Sequence, residues 1–157
     1  PNAVNKIQNG NDITIISSSY STIEIVKIYK ELKKNNISFD HLDINIIKPL
    51  IINKIFKSVK KTGKLLILDN SSHKICSIGS EIISELVLLK KNIFKKEPVY
   101  LGLPDIPSPT SFYLTKDYYN TSAKILKSIG MILNKKMKLK KEKTFHDIPD
   151  PAFKGPF

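Results

Sequence analysis

The chain has 157 residues, a length that fits one ordinary domain with a single hydrophobic core. Hydrophobic residues make up 41% of it and charged residues 25%, which excludes a disordered chain. No apolar run approaches the roughly 18–20 residues that span a bilayer, and the single cysteine, Cys76, excludes an internal disulfide. We therefore expect a soluble domain in the reducing cytoplasm, with no membrane partner.

The formal net charge of +12 raises nucleic acid as a candidate partner. All 26 basic residues are lysine, however, so the planar guanidinium groups that bind guanine edges are absent. Six lysines between Lys135 and Lys143 place much of the excess charge in one short segment. We therefore expect no nucleic-acid partner.

The first predicted elements are a strand, a helix and a second strand. Residues 12–18 form a β-branched run that predicts a buried strand. Ser21 and Glu24 have the spacing of a capping box, which predicts a helix that continues through Lys33. Residues 37–44 predict the next strand.

A helix, a strand and a polar loop come next. Pro49 opens a predicted helix that Gly63 closes. Residues 64–69 (KLLILD) form a continuous apolar run, which is typical of a central strand covered on both faces. Residues 70–77 predict a polar loop.

The last regular elements are two helices with a strand between them. Residues 79–91 predict a helix, and residues 98–101 predict a short strand. Residues 102–109 contain three prolines and predict an extended loop. Residues 120–134 predict the final helix. The buried positions of these two helices would be Ile78, Ile82, Leu86, Leu89, Ile125, Leu126, Ile129, Ile132 and Leu133.

Alternating strands and helices predict a three-layer α/β/α fold with a mostly parallel sheet, because right-handed crossovers place helices over both faces. No GxGxxG or GxxxxGK[ST] loop follows a strand, which disfavours a self-contained nucleotide-binding domain.

Five short segments, in order, resemble the transketolase C-terminal domain family. Residues 42–50 (LDINIIKPL) and 58–64 (SVKKTGK) are similar to its "DLRTLxPLD" and "SVxKTGR" stretches. Residues 79–82 (GSEI) are similar to a helix start, 104–109 (PDIPSP) to a proline loop, and 117–119 (DYY) to the entry into the final helix. The resemblance is strongest to the C-terminal domain of the β subunit of thiamin-diphosphate-dependent 2-oxoacid dehydrogenases.

The resemblance implies a five-stranded mixed sheet with one antiparallel strand. It divides the chain into the end of a linker (residues 1–11), a transketolase C-terminal-like domain (12–134) and a tail rich in lysine, proline and phenylalanine (135–157). It implies an assembly and support domain of an enzyme that oxidatively decarboxylates a 2-oxoacid. Thiamin diphosphate and magnesium would be held by other domains, so the isolated chain would bind neither and would be inactive.

The implied partners are a second copy of this domain in a homodimer, the α subunit or an N-terminal pyrimidine-binding domain, and the acyltransferase component. Two alternatives remain open: the C-terminal part of a transketolase, or a basic interaction module with no enzymatic role. Phosphate-binding arginines would favour the transketolase, and this chain contains no arginine.

His73 is the candidate catalytic residue, because it follows the central strand where doubly wound sheets place ligand groups. A solvated or interface histidine is the alternative, since no carboxylate near it in sequence obviously orients its ring. His41 and His146 have no companion at metal-ligand spacing, so no metal site is predicted. Cys76 is predicted to be a small packing residue. The predicted interface residues are Gly79, Glu81, Pro104, Asp105, Pro107, Pro109, Phe153 and Phe157.

Overall fold

In a computed structural model of the chain, five strands form one mixed sheet. The structure describes residues 3–111, 114–115 and 118–137, except the side chains of Ser71 and Ser72. The spatial order of the strands is β1-β3-β2-β4-β5. Strand β1 is antiparallel to β3, and the other neighbouring strands are parallel. The bounds of the strands are Val4–Gln8 (β1), Ile13–Ser17 (β2), Phe39–Ile44 (β3), Leu65–His73 (β4) and Val99–Leu103 (β5).

Five helices with described bounds cover the two faces of this sheet. Their bounds are Tyr20–Lys27 (α1), Tyr29–Lys34 (α2), Ile52–Thr62 (α3), Ile78–Leu89 (α4) and Ser122–Leu133 (α5). Helices α1, α2 and α5 share one core cluster with the sheet, whereas α3 and α4 share the other. The three-layer α/β/α fold and its mixed five-stranded sheet are thereby confirmed.

Alternation along the strands separates the two core clusters. In β4, Leu66 and Leu68 face α1, α2 and α5, whereas Leu65 and Ile67 face α3 and α4. Successive side chains of a strand point to opposite faces, so a strand covered on both sides is apolar throughout. This explains the continuous apolar run of residues 64–69.

The first strand was missing from the sequence prediction, which placed residues 1–11 in a linker. Val4 is buried, but the next three side chains of β1 are exposed. An edge strand with one buried side chain carries no hydrophobic periodicity. Residues 4–8 nevertheless belong to the sheet through their pairing with β3.

The predicted capping box is wrong. Helix α1 begins after Ser19, whose side chain makes no cap hydrogen bond. Ser21 lies inside the helix and its Oγ accepts a hydrogen bond from the backbone N–H of Asn70, while the carboxylate of Glu24 pairs with Lys27 at 2.6 Å. Both polar groups are therefore used for tertiary and local contacts rather than for capping.

The other helices follow the sequence pattern with shifted ends. Helix α3 begins at Ile52 rather than at Pro49, and it ends at Gly63, whose φ of 68° is the left-handed conformation that favours glycine. Leu89, predicted to be buried, is 49% exposed in the last turn of α4. Strand β4 extends to His73 through residues predicted as a loop, and β5 extends to Leu103.

No helix in the described part of the chain is long and apolar enough to cross a membrane. The tail from residue 138 onward, which includes Phe153 and Phe157, lies outside the described residues.

Candidate functional site

The carboxyl ends of β4 and β5 bring His73 and Asp105 together. His73 pairs with Leu103 in the sheet, and Asp105 follows Leu103 by two residues. Nδ1 of His73 lies 3.5 Å from Oδ1 of Asp105. Sequence reasoning found no carboxylate for this histidine, because the two residues are far apart in the chain and only the parallel pairing of the strands joins them.

The geometry of this pair limits what it can do. A separation of 3.5 Å is longer than the usual N–H···O hydrogen bond of about 2.7–3.2 Å. The side chain of Asp105 is 71% exposed, so water screens its charge, whereas Nδ1 of His73 is itself buried and makes no hydrogen bond with a described residue. The pair therefore orients the imidazole loosely, at a surface position that suits contact with another protein better than proton transfer in a closed site.

Two asparagines anchor the proline loop at its base. Asn120 is fully buried, and its Nδ2 donates to the carbonyl of Gly102 at 3.1 Å and to Oδ1 of Asn70 at 2.9 Å. The backbone N–H of Asn120 also donates to Oδ1 of Asn70, at 3.2 Å. The two ends of the segment from Gly102 to Asn120 are thus bonded to each other, and Asn120 is bonded to Asn70 of β4. These two residues were not predicted, because no sequence motif links positions 50 residues apart.

The predicted interface residues of this loop differ in exposure. Asp105 and Pro107 are exposed, whereas Pro104 and Pro109 are half-buried. Ile106 between them is 54% exposed, and its N–H donates to the carbonyl of Pro104 at 2.9 Å. The loop therefore presents an exposed apolar side chain on a locally closed backbone, as an interface surface would.

The start of α4 places the other two predicted interface residues in different environments. Ser77 caps the helix by accepting a hydrogen bond from the N–H of Ser80 at 3.2 Å. Gly79 is buried under Tyr100, where a Cβ would lie only 2.7 Å from the ring. Glu81 is exposed. Packing within this chain accounts for the glycine, and Glu81 is available to a partner.

A groove of about 910 Å³ lies between α4 and the segment that leads into α3. The segment before α3 contributes apolar residues and Lys48, and the α4 side contributes serines, two carboxylates and Ile78. Its lining includes Ile47, Leu50, Ile52, Ile78, Glu81 and Glu85. Cys76, at the rim, is exposed, so its predicted packing role is wrong. We call this surface the α4 groove.

The described residues include no group of three histidine, cysteine, aspartate or glutamate side chains that could bind a metal ion. His41 is fully buried, and its two ring nitrogens form hydrogen bonds, Nε2 with Ser17 and Nδ1 with Tyr29. The described donor set therefore does not fit a magnesium ion, and no chemical step is assigned to one in this domain.

Comparison with known proteins identifies the family of this chain. The family model "Transketolase, C-terminal domain" matches residues 2–125, so the chain belongs to the transketolase C-terminal domain family. Its match to pyruvate dehydrogenase E1 component subunit beta of Mesostigma viride is 31% identical over 134 residues. That match covers 83% of this chain and 40% of the relative.

Two further relatives agree with this placement. Pyruvate dehydrogenase E1 component subunit beta of Staphylococcus epidermidis is 30% identical over 79 residues, covering 50% of this chain and 24% of the relative. A solved structure described as a split gene transketolase, an inactive beta4 tetramer, has a TM-score of 0.69 at 20% identity. That match covers 83% of this chain and 42% of the other, and it supports the fold alone. The chain therefore spans less than half the length of these relatives.

Proposed function

We propose that this chain is the C-terminal assembly and support domain of the β subunit of a thiamin-diphosphate-dependent 2-oxoacid dehydrogenase. The observation that carries the proposal is the 31% identity to a pyruvate dehydrogenase E1 β subunit, which extends over 83% of the chain. The whole enzyme would oxidatively decarboxylate a 2-oxoacid, while this domain holds subunits together.

The division of labour in such an enzyme follows from its cofactor. The ylid of thiamin diphosphate supplies the chemistry when it is bound, and the protein orients it and excludes water. The described residues supply neither a glycine-rich phosphate loop nor a magnesium site. The α subunit and the pyrimidine-binding domain are the partners that would hold the cofactor.

The surface chemistry supports an assembly role. The α4 groove and the proline loop both expose large apolar side chains, with Ile47 at 53% and Ile106 at 54% exposure. Exposed large apolar side chains are typical of protein interfaces. A homodimer that buries these side chains is the simplest closed assembly, and the α subunit or the acyltransferase component would contact surface that the homodimer leaves exposed.

Titration calorimetry tests the cofactor assignment. We expect no heat of binding when thiamin diphosphate and magnesium are added to this chain, and micromolar binding would place a cofactor site in this domain and contradict the proposal.

Sedimentation of two matched variants tests the assembly surface. Ile47→Asp introduces a charge in the α4 groove, whereas Ile23→Asp introduces the same charge on α1, at an equal exposure of 53%. At about 100 µM, above the micromolar Kd of a modest interface, we expect the unmodified chain and the Ile23 variant to be dimeric and the Ile47 variant to be monomeric. A monomeric unmodified chain, or equal loss in both variants, would contradict the assignment.

Activity of the complete enzyme tests the reaction class. The complete β subunit that carries this domain, mixed with an α subunit, thiamin diphosphate and magnesium, should reduce an artificial electron acceptor when pyruvate or a branched-chain 2-oxoacid is added. Ketol transfer from a ketose phosphate, with no 2-oxoacid oxidation, would instead identify a transketolase.

A further inference from the structure

A continuous series of hydrogen bonds runs through five side chains near the carboxyl ends of β2 and β3. The phenol of Tyr29 contacts Nδ1 of His41, and Nε2 of His41 lies 2.6 Å from Oγ of Ser17. Oγ of Ser17 lies 2.8 Å from Oγ1 of Thr22, and Oγ1 of Thr22 lies 2.6 Å from Oδ1 of Asp43. We call these five residues the hydrogen-bond chain.

The hydrogen-bond chain connects four elements of the fold. Ser17 lies on β2, His41 and Asp43 on β3, Thr22 on α1 and Tyr29 on α2. Helices α1 and α2 are separated by a one-residue irregularity at Ile28, and the hydrogen-bond chain includes a residue on each side of it. The central residues of the hydrogen-bond chain are excluded from solvent, since Ser17 is 1% exposed and His41 is 0% exposed.

Only one arrangement of protons satisfies every link. A carboxylate accepts hydrogen bonds and donates none, so the hydroxyl of Thr22 donates its one proton to Asp43. Thr22 must then accept from Ser17, which leaves Ser17 to accept from Nε2 of His41. A neutral imidazole has a single N–H, so Nδ1 accepts from the phenol of Tyr29. Every proton therefore points toward Asp43.

The environment keeps the two titratable groups inside the hydrogen-bond chain neutral. Burial lowers the pKa of His41 to about 4, so the imidazole is uncharged at neutral pH. Burial, together with the negative charge of Asp43, raises the pKa of Tyr29 to about 12. The single charge is then at the Asp43 end.

We propose that the hydrogen-bond chain is a one-way conformational lock, in which the carboxylate of Asp43 fixes His41 as the Nε2–H tautomer and holds α1 and α2 on the sheet. If the side chain at position 43 can also donate a hydrogen bond, each hydroxyl can donate in the opposite direction, and the Nδ1–H tautomer of His41 becomes available. The charge state at the carboxyl edge of β3 is thereby coupled to the position of α2. This inference does not depend on the proposed function.

Long-range ¹⁵N–¹H NMR of the chain labelled in histidine measures the tautomer directly. In the unmodified chain we expect a single Nε2–H tautomer of His41 with a slowly exchanging ring proton. Asp43→Asn supplies an amide that can donate to Thr22, and Thr22→Val, of nearly the same shape, removes a link. Both variants should show the Nδ1–H form. Tyr29→Phe removes only the upstream donor, so it should retain the Nε2–H form.

Amide exchange tests whether the lock holds the helices. The N–H of Leu32 in α2 bonds to the carbonyl of Ile28 at 3.0 Å, and its exchange should quicken about tenfold in the Asp43 and Thr22 variants. Exchange of the Leu66 amide in β4 should not change. A mixture of tautomers in the unmodified chain would overturn the proposal without any variant. An effect of Asp43→Asn that Thr22→Val does not reproduce would also overturn it, since such an effect indicates electrostatic attraction through space. Equally faster amide exchange in α2 and β4 would overturn it as well.

Discussion

Asp40 is a buried charge whose removal should destabilise the whole sheet. Its side chain has 0% exposure, and its Oδ2 lies 2.9 Å from Nζ of Lys6 and 2.6 Å from Oγ of Ser58. Its Oδ1 accepts from Nζ of Lys61 and from the backbone N–H of Gly10, each at 2.8 Å. One carboxylate thereby joins β3 to β1, to the turn before β2 and to α3.

The size of the effect follows from the shift in the pKa of Asp40. Burial raises this pKa, but the hydrogen bonds from Lys61, Ser58, Gly10 and Lys6 outweigh burial and lower it from 3.8 to about 2. At 1.36 kcal/mol per pKa unit, the ionised carboxylate contributes about 2–3 kcal/mol to the free energy of unfolding. The contribution is present above pH 3.8 and is lost as the pH falls through 2.

The change Asp40→Asn keeps the shape of the side chain and removes its charge. Breaking a buried ion pair costs about 3–5 kcal/mol when the partner stays buried. Lys6 and Lys61 are each 39% exposed and can turn toward water, so we expect a loss of about 2–3 kcal/mol. Urea unfolding at pH 7 measures it. Between pH 4 and 2 the variant should also lose less stability than the unmodified chain, because the contribution of Asp40 is absent from it.

Asp105→Asn is the matched control, because its carboxyl is 71% exposed and lies 3.5 Å from His73. A surface change of this kind should stay within about 0.5 kcal/mol. If Asp40→Asn costs as little as Asp105→Asn, or if the variant and the unmodified chain lose equal stability between pH 4 and 2, then the carboxylate of Asp40 does not hold the sheet together and the reasoning is wrong.

Two further predictions concern His41 and Gly79. Because burial lowers the pKa of His41 from 6.5 to about 4, its contribution to stability is complete above pH 6.5 and is lost as the pH falls toward 4. We expect about 2–3 kcal/mol less stability at pH 4.5 than at pH 7.5 from this group, and an NMR titration of its ring with a pKa above 6 would contradict this. Gly79→Ala should destabilise the chain by about 1–2 kcal/mol in thermal unfolding, because the new Cβ would lie 2.7 Å from the Tyr100 ring. In a Tyr100→Leu background the same change should be neutral or stabilising, and an equal cost in both backgrounds would exclude the ring as its cause.

Local patterns predicted the elements that bury a regular face. The β-branched run before Ser17, the apolar run of β4 and the glycine at the end of α3 each act within a few residues, so the sequence carries their signal. Strand β1 escaped prediction because a single buried side chain, Val4, has no period. Leu89 was predicted to be buried because it continues the apolar pattern of α4, but it lies in the last turn, where the helix leaves the core.

The candidate site could be predicted only in its parts. The proline loop and the glycine–glutamate helix start are contiguous motifs that carry the family resemblance, so Pro104, Asp105, Gly79 and Glu81 could be proposed from sequence as interface residues, which stays a prediction. The contact between His73 and Asp105 depends on the parallel pairing of β4 with β5, which no local pattern contains. The tie between Asn70 and Asn120 is equally non-local, so the residues that hold the loop were missed.

Strand β3 carries bonded polar groups on both faces, and this fixes its register against both neighbours. Asp40 faces α3 through Ser58 and Lys61, whereas His41 faces α2 through Tyr29. A slip of one residue would turn Asp40 into the core of α1, α2 and α5 and turn His41 toward α3. Each group would then be buried without its partners, at a cost of several kcal/mol for the carboxylate alone. Apolar side chains could fill the same volume, but they would tolerate the slip better. The two polar clusters therefore make the position of β3, and of the antiparallel strand paired with it, unique.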